Sequence, residues 1–252
     1  VQELLTEPSM AVTQKGLVIG GGISGLTSAL FLAEQGFAVD LIEKTGELGG
    51  HSREIYFDLA EDNPQTFVKS IIEKAKNNGK ITIHLNSEVV SVNGFAGNYR
   101  SQVKSANGKL ADVAHGALII ATGARNYQPS EYLYGKDQRV IVQHELQQKL
   151  AEGSLGKPAT VVMIQCVGSR NDAHPYCNRV CCSEAITNAI KIKEQSPDTQ
   201  VFILNRDIMT YGFKEQYYTR ARELGVLFQR FVPEKEPKVN ANDKNLTVEV
   251  AD

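Results

Sequence analysis

The sequence predicts an α/β protein with two parallel-sheet domains and a β-meander. Three observations predict it. A short apolar strand, a glycine-rich turn, a helix and a second strand follow one another between Gly16 and Glu43. A second alternation of strands and helices runs from Thr160 to Phe231. Between the two, Val89–Ala111 reads as short strands broken by Asn93-Gly94 and Asn107-Gly108, the signature of antiparallel hairpins.

Composition narrows the class. The chain has 252 residues, enough for one large domain or two small ones. Hydrophobic residues make up 42 % and charged residues 22 %, which is ordinary for a globular protein. A net charge of −2 gives no electrostatic case for nucleic acid or an acidic membrane as a partner. No apolar run approaches the roughly 18 residues of a membrane span, and the N-terminus lacks the basic-then-apolar pattern of a secretion signal. Four cysteines gathered in one place fit a reducing compartment, so a cytoplasmic location is expected. The first residue is Val1 rather than Met, within a polar lead-in over residues 1–15, which points to a piece of a longer chain.

The first half is organised around one turn. Gly16–Gly20 reads as a buried strand and runs into Gly20-Gly21-Gly22-Ile23-Ser24-Gly25. Leu26, Ala29, Leu30 and Ala33 then recur at helical spacing until Gly36 stops the helix. Phe37–Ile42 is the second strand and Glu43 ends it. Strand, Gly-x-Gly-x-x-Gly, helix, strand and acid within about 30 residues is the pattern of a dinucleotide-binding unit. Gly20 allows the tight turn, Gly22 lets a pyrophosphate approach the backbone at the helix N-terminus, and Gly25 allows close helix–strand packing. Glu43 is placed to accept hydrogen bonds from a ribose, and Ile23, Ser24 and Lys44 belong to the same candidate set. Pro64 opens the next helix, with Phe67, Val68, Ile71, Ile72 and Ala75 as its apolar stripe. Ile81–Leu85 is a strand, and Ala117–Gly123 is expected as a buried strand ending in a tight turn.

Polar, irregular sequence near Tyr127–Gly135 marks the expected junction, giving domains over 1–127 and 128–252. Beyond it, His144–Leu150 reads as a short helix, Thr160–Ile164 as a buried strand, Ser183–Lys193 as a helix, Val201–Leu204 as a strand, Phe213–Leu224 as a helix closed by Gly225, and Val226–Phe231 as a strand. Residues 236–250 read as extended, exposed chain. This second series is Rossmann-like, but its first strand–helix turn carries cysteines in place of glycines, so no second dinucleotide is expected there.

All four cysteines lie between Cys166 and Cys182. Cys177 and Cys181 are four apart and would share a face of a helix. Cys181 and Cys182 fall at a helix start, where free amides and the dipole favour thiolate. The chemistry leaves three readings open: a [4Fe–4S] cluster on Cys166, Cys177, Cys181 and Cys182, a structural zinc on the same thiolates, or disulfides and inert thiols. Adjacent cysteines are awkward for zinc, which prefers two Cys-x(2–4)-Cys knuckles.

The first unit resembles the FAD-binding half of two-dinucleotide-domain flavoproteins, through its glycines, Glu47-Leu48-Gly49-Gly50 and Ala121-Thr122-Gly123. The resemblance implies an FAD path along Gly49, Gly50, Ala121, Thr122 and Gly123. Cys166-Val-Gly-Ser-Arg170, Pro175–Ala185 and Asn205–Phe213 closely resemble the A-subunit family of heterodisulfide reductases and its quinone-interacting relatives. That resemblance runs from about Gly16 to Lys238 and implies a [4Fe–4S] cluster on the four cysteines. It also implies an FAD-dependent oxidoreductase that works with other redox subunits of a heterodisulfide-reductase-like, hydrogenase or quinone-linked complex. The chain departs from the family in lacking further cysteine groups over His51–Gln65, in carrying Thr187 where many relatives have lysine, and in lacking the closing segment of the FAD domain.

Two other readings stand beside this one. An NAD(P)H-dependent, thioredoxin-reductase-like disulfide reductase would need a Cys-x-x-Cys pair and a second Gly-x-Gly-x-x-Gly, and the sequence has neither. A non-catalytic nucleotide-binding scaffold with structural zinc is the non-enzymatic alternative. His174 reads as exposed loop, Arg170 and Arg179 as neighbours of the cluster or of solvent, and Tyr217-Tyr218 as packing. Arg206, Asp207 and Tyr211 match the family motif without an assigned role.

Overall fold

The computed structural model describes residues 9–59, 63–242 and 244–251; the first eight residues of the lead-in lie outside them. The chain divides into two compact units. One comprises 1–53 and 65–124, the other 54–64 and 125–252.

The first unit is built on a four-stranded parallel sheet. Strands β1 (Lys15–Ile19), β2 (Ala38–Ile42), β3 (Ile81–His84) and β7 (Ala117–Ile120) lie in the order β3-β2-β1-β7. Two helices follow β1 and β2 in the chain: α1 (Ile23–Glu34) and α2 (Pro64–Lys76). They bury Leu26, Ala29, Ala33, Val68, Ile71 and Ala75, and most of these join Val18, Val39 and Leu41 of the sheet in one core. Strands β4 (Glu88–Phe95), β5 (Asn98–Lys104) and β6 (Leu110–His115) form the antiparallel meander. Val103, Val89 and Val113 of the meander pack with Leu17 and Ile42 of the sheet. Full burial of an aliphatic side chain of this size is worth about 1.5–3 kcal/mol, so the sheet is anchored by residues the apolar runs had marked.

Three details of the first unit differ from the sequence reading. The first hairpin turns at Ala96-Gly97, because Asn93-Gly94 is taken up inside β4 with Gly94 paired to Tyr99. Phe67 points out at 57 % exposure, while Val68, Ile71 and Ala75 are buried and Ile72 packs partly buried against the core. Strand β7 is not buried. It lies at one end of the sheet's strand order, with β3 at the other, and Ile120 is 70 % exposed.

The second unit carries a three-stranded parallel sheet of β8 (Thr160–Ile164), β9 (Gln200–Asn205) and β10 (Leu227–Arg230), in the order β10-β9-β8. Helices α3 (Gln143–Glu152), α4 (Cys181–Gln195) and α5 (Glu215–Glu223) pack around it. Ala185, Ile186, Ala189 and Ile190 of α4 meet Met163, Val201 and Ile203 of the sheet, with Leu146, Leu150 and Ala221 from the other two helices. Phe213 precedes α5 in a 3-10 turn and is 95 % exposed. The tail is more regular than the sequence reading: β11 (Lys238–Ala241) and β12 (Leu246–Glu249) pair as an antiparallel hairpin.

The two compact units are not separated by one cut along the chain. Residues 54–64 fall with the second unit. The physical reason is Gln147 on α3, whose Oε1 accepts the Tyr56 amide at 2.9 Å and whose Nε2 donates to the Phe57 carbonyl at 3.2 Å.

Candidate functional site

The glycine turn is a set of close backbone approaches. Gly20 has φ +109°, and a Cβ there would lie 2.2 Å from the Ala121 carbonyl oxygen. A Cβ on Gly25 would lie 1.8 Å from the Gly20 carbonyl oxygen, so α1 rests directly on the turn. Gly22 is the N-cap of α1, carries no side-chain cap, and has nothing within 4 Å of where its Cβ would be. The Gly49 amide donates to the Gly21 carbonyl at 2.8 Å, and Gly50 comes against Gly22, with a Cβ position 3.1 Å from its Cα. The Ala121 amide donates to Ile19 at 2.8 Å. Gly20, Gly22, Gly25, Gly49, Gly50 and Ala121, far apart in sequence, are thus drawn onto one turn. Ile23 and Ser24 open α1 beside it, and Thr122 and Gly123 continue from Ala121 as irregular chain at the surface.

Glu43 is held by this turn from the other side. Its Oε2 accepts the Gly21 amide at 2.7 Å, and its Oε1 accepts both the Thr45 amide and the Thr45 hydroxyl, at 2.7 and 2.8 Å. Glu43 is nearly buried, and Oε2 retains a lone pair beyond the one that Gly21 uses. Lys44 is turned to solvent and pairs with Glu88 at 3.4 Å. Thr45 was not singled out from the sequence; its position two residues after the acid is the signal that could have found it. The uncapped helix start, the open space at Gly22 and the acid fixed beside it fit a dinucleotide with its pyrophosphate on the α1 amides.

The cysteines lie in the second unit. Cys181 and Cys182 are the first two residues of α4, whereas Cys177 sits in the loop before it, so Cys177 and Cys181 do not share a helical face. The loop is shaped by left-handed residues: Cys166 at φ +64°, Gly168 at +66°, Arg170 at +59° and Arg179 at +60°. Such conformations are uncommon for residues with a Cβ and hold only where the surroundings impose them. All four cysteines are free thiols. The Cys182 thiol is drawn down to about 6, first by the hydrogen bond with Cys181, against the effect of burial, with help from the Met209 amide and Arg170. Cys181 is pushed up by sharing its proton with Cys182, by burial, and by the charges of Cys182, Cys166 and Cys177.

Among the described residues, no three His, Cys, Asp or Glu side chains stand close enough together to hold a metal ion as placed. The four cysteines are free thiols on a single loop and helix start, and His174 is engaged locally through its backbone and Tyr176.

The segment after β9 braces this loop. Arg206, 8 % exposed, donates from Nη1 to the Arg170 carbonyl at 2.6 Å and from Nη2 to Glu236 at 3.0 Å. Arg170 pairs with Asp207 at 2.8 Å, and the Cys182 sulfur lies 3.7 Å from the Asp207 carbonyl oxygen. Arg179 reaches the Tyr211 hydroxyl at 3.5 Å. The motif residues Arg206, Asp207 and Tyr211 therefore contact the cysteine loop, and Tyr218 packs edge-on against Phe228. A cleft of about 380 Å³ opens along the same segment, lined by Arg206, Asp207, Tyr211, Tyr218 and Arg230.

Comparison with known proteins agrees with this anatomy. The family model described as pyridine nucleotide-disulphide oxidoreductase matches residues 14–169. The chain is 27 % identical to the A-subunit of the ferredoxin:CoB-CoM heterodisulfide reductase of Methanosarcina acetivorans, over 99 % of this chain and 47 % of that protein. It is 27 % identical to the second iron-sulfur A-subunit of the CoB–CoM heterodisulfide reductase of Methanopyrus kandleri, over 99 % of this chain and 52 % of that protein. The chain thus spans about half the length of the curated relatives it matches. Among solved structures, T. acidophilum thioredoxin reductase superposes with a TM-score of 0.56 at 18 % identity, over 93 % of this chain and 69 % of that one. The bacillithiol disulfide reductase of Bacillus cereus gives 0.53 at 15 % identity, over 95 % and 76 %. These two likenesses establish the fold. With more than half of its residues matched by the family model, the chain belongs to the pyridine nucleotide-disulphide oxidoreductase family.

Proposed function

We propose that this chain is the flavin and iron–sulfur electron-transfer part of a heterodisulfide-reductase-like oxidoreductase. FAD is held on Gly20, Gly22, Ile23, Ser24, Gly25, Glu43, Lys44, Gly49, Gly50, Ala121, Thr122 and Gly123. A [4Fe–4S] cluster is held on Cys166, Cys177, Cys181 and Cys182. The single observation that carries the reading is the pairing, in one chain similar along its length to heterodisulfide reductase subunits, of an uncapped dinucleotide turn with four free thiols. When bound, the two groups supply two-electron and one-electron redox chemistry. The protein's part is to present amides to the pyrophosphate, hold the ribose at Glu43 and gather thiolates. As placed the four thiols form no metal-holding group, so Cys166, Cys177, Cys181 and Cys182 would have to be brought together to hold a cluster. The partners proposed are other redox subunits of a heterodisulfide-reductase-like, hydrogenase or quinone-linked complex.

The test is the visible spectrum of anaerobically purified protein before and after dithionite, with iron, sulfide and zinc analysis. A flavin spectrum with about four irons and acid-labile sulfide per chain supports the reading. About one zinc and no sulfide replaces the cluster with a structural metal. Absence of bound or bindable FAD overturns the flavin half.

A further inference from the structure

The carboxylate of Glu43 is largely satisfied by the chain itself. Its Oε1 accepts two donors, the Thr45 amide at 2.7 Å and the Thr45 hydroxyl at 2.8 Å, and its Oε2 accepts the Gly21 amide at 2.7 Å. A carboxylate offers about four lone-pair positions, two on each oxygen. Oε1 is therefore full, and one position remains, on Oε2, the oxygen tied to the glycine turn. The loop that carries Thr45 is itself held: the Asn86 amide donates to the Thr45 carbonyl and the Ser87 amide to the Glu43 carbonyl, each at 2.9 Å. The Thr45 hydroxyl has a single hydrogen and two acceptors in reach, Glu43 Oε1 and the Glu47 carbonyl oxygen at 2.9 Å. A charged acceptor forms the stronger bond, so the hydrogen goes to Glu43.

We infer that Thr45 is a positioning residue for the dinucleotide turn: by filling Oε1 it limits Glu43 to a single ribose hydroxyl, received at Oε2. The inference rests on the FAD reading above and adds to it which carboxylate oxygen is used and how many hydroxyls it takes. A free carboxylate can receive both hydroxyls of a ribose, one on each oxygen. Glu43 cannot do so without giving up a bond to Thr45. Through Glu43, then, loss of one ribose hydroxyl weakens binding and loss of the other does not. Removing the Thr45 hydroxyl leaves only the amide on Oε1, opens an acceptor position there and frees the carboxylate to turn about its last bond. The contact at Oε2 then loses the support that aims it.

The experiment uses the whole chain as wild type, Thr45→Val, Thr45→Ser and Glu43→Ala, with ADP, 2′-deoxy-ADP and 3′-deoxy-ADP each titrated in competition with FAD. Thr45 lies at the surface, so valine is accommodated there and the thermal midpoint of Thr45→Val stays near that of the wild type. In the wild type one deoxy analogue binds about tenfold more weakly than ADP and the other binds like ADP. Thr45→Val lowers that discrimination to about twofold, Thr45→Ser restores it, and in Glu43→Ala it is absent. Penalties for both analogues that vanish together in Glu43→Ala, or no penalty for either, overturn the single-hydroxyl assignment. A discrimination unchanged in Thr45→Val overturns the positioning role. A wild type that binds neither FAD nor ADP overturns the FAD reading on which both rest.

Discussion

The Glu43 carboxylate accepts the backbone amide of Gly21 at 2.7 Å, tying the acid at the end of the second strand to the glycine turn at the end of the first. Thr45 holds the other carboxylate oxygen. The bond therefore fixes both the shape of the turn and the direction of the acid. Glu43→Ala removes charge-assisted hydrogen bonds worth about 1.5–3 kcal/mol. FAD affinity should fall about 10- to 100-fold, measured by flavin fluorescence titration. Unchanged affinity would place the adenosine elsewhere.

Two glycines of one motif should respond in opposite ways. Gly25→Ala forces a methyl to within 1.8 Å of the Gly20 carbonyl oxygen, a backbone atom that cannot move aside cheaply. Its expected cost is more than about 3 kcal/mol of stability. Gly22→Ala meets nothing within 4 Å and sits at φ −73°, so folding should be retained. Its methyl enters the space proposed for the pyrophosphate, so FAD binding should be lost from a folded protein. Thermal unfolding and flavin titration of both variants separate the two effects.

His115 makes stability acid-sensitive. Its ring is fully buried, with Nδ1 3.0 Å from the Ala117 carbonyl oxygen and Nε2 2.8 Å from the Ser101 hydroxyl. The carbonyl can only accept, so Nδ1 carries the hydrogen and Nε2 accepts from Ser101 in the neutral ring. Burial holds the folded pKa below 6.5. The unfolded chain therefore binds the extra proton, and this contribution is complete above pH 6.5 and declines as pH falls below it. Asp40 is also depressed: burial would raise it, but hydrogen bonds and charge from His84 and Lys15 outweigh that. Its contribution is lost only below 3.8. The thermal midpoint of the wild type should drop between pH 7 and pH 5, and His115→Gln should flatten that slope. Parallel slopes would assign the sensitivity to other groups.

Gln147 should act as the latch for residues 54–59. It is 4 % exposed, bonds both Tyr56 and Phe57, and its Nε2 also lies 3.4 Å from Asn188 Oδ1. Gln147→Ala should cost about 2–3 kcal/mol through the unpaired groups and the cavity it leaves. Amide exchange at Tyr56 should rise more than exchange in the α4 core. A uniform rise would mean global destabilisation instead of local release.

Much of this protein was legible in its sequence because the relevant signals are local. The dinucleotide unit is a matter of backbone freedom at Gly20 and Gly25 and of apolar spacing in α1, and both act within a few residues. The strand–helix alternation of the second unit, and the start of α4 at Cys181, follow the same logic. Turn chemistry misled where two glycines competed: Asn93-Gly94 carries the stronger local signal, but pairing of β4 with β5 extends past it to Phe95 and Asn98, which leaves the turn at Ala96-Gly97.

The sequence by itself determined the α/β class, the glycine turn and the clustering of four thiols, because periodicity and glycine chemistry are properties of neighbours along the chain. Only the tertiary structure decided that β7 lies at one end of its sheet, that residues 54–64 fold with the second unit, that Thr45 and Gly21 grip Glu43, and that the segment after β9 braces the cysteine loop. Apart from the Thr45 contact, those outcomes depend on hydrogen bonds and burial between residues from 22 to more than 90 positions apart, for which no spacing rule exists.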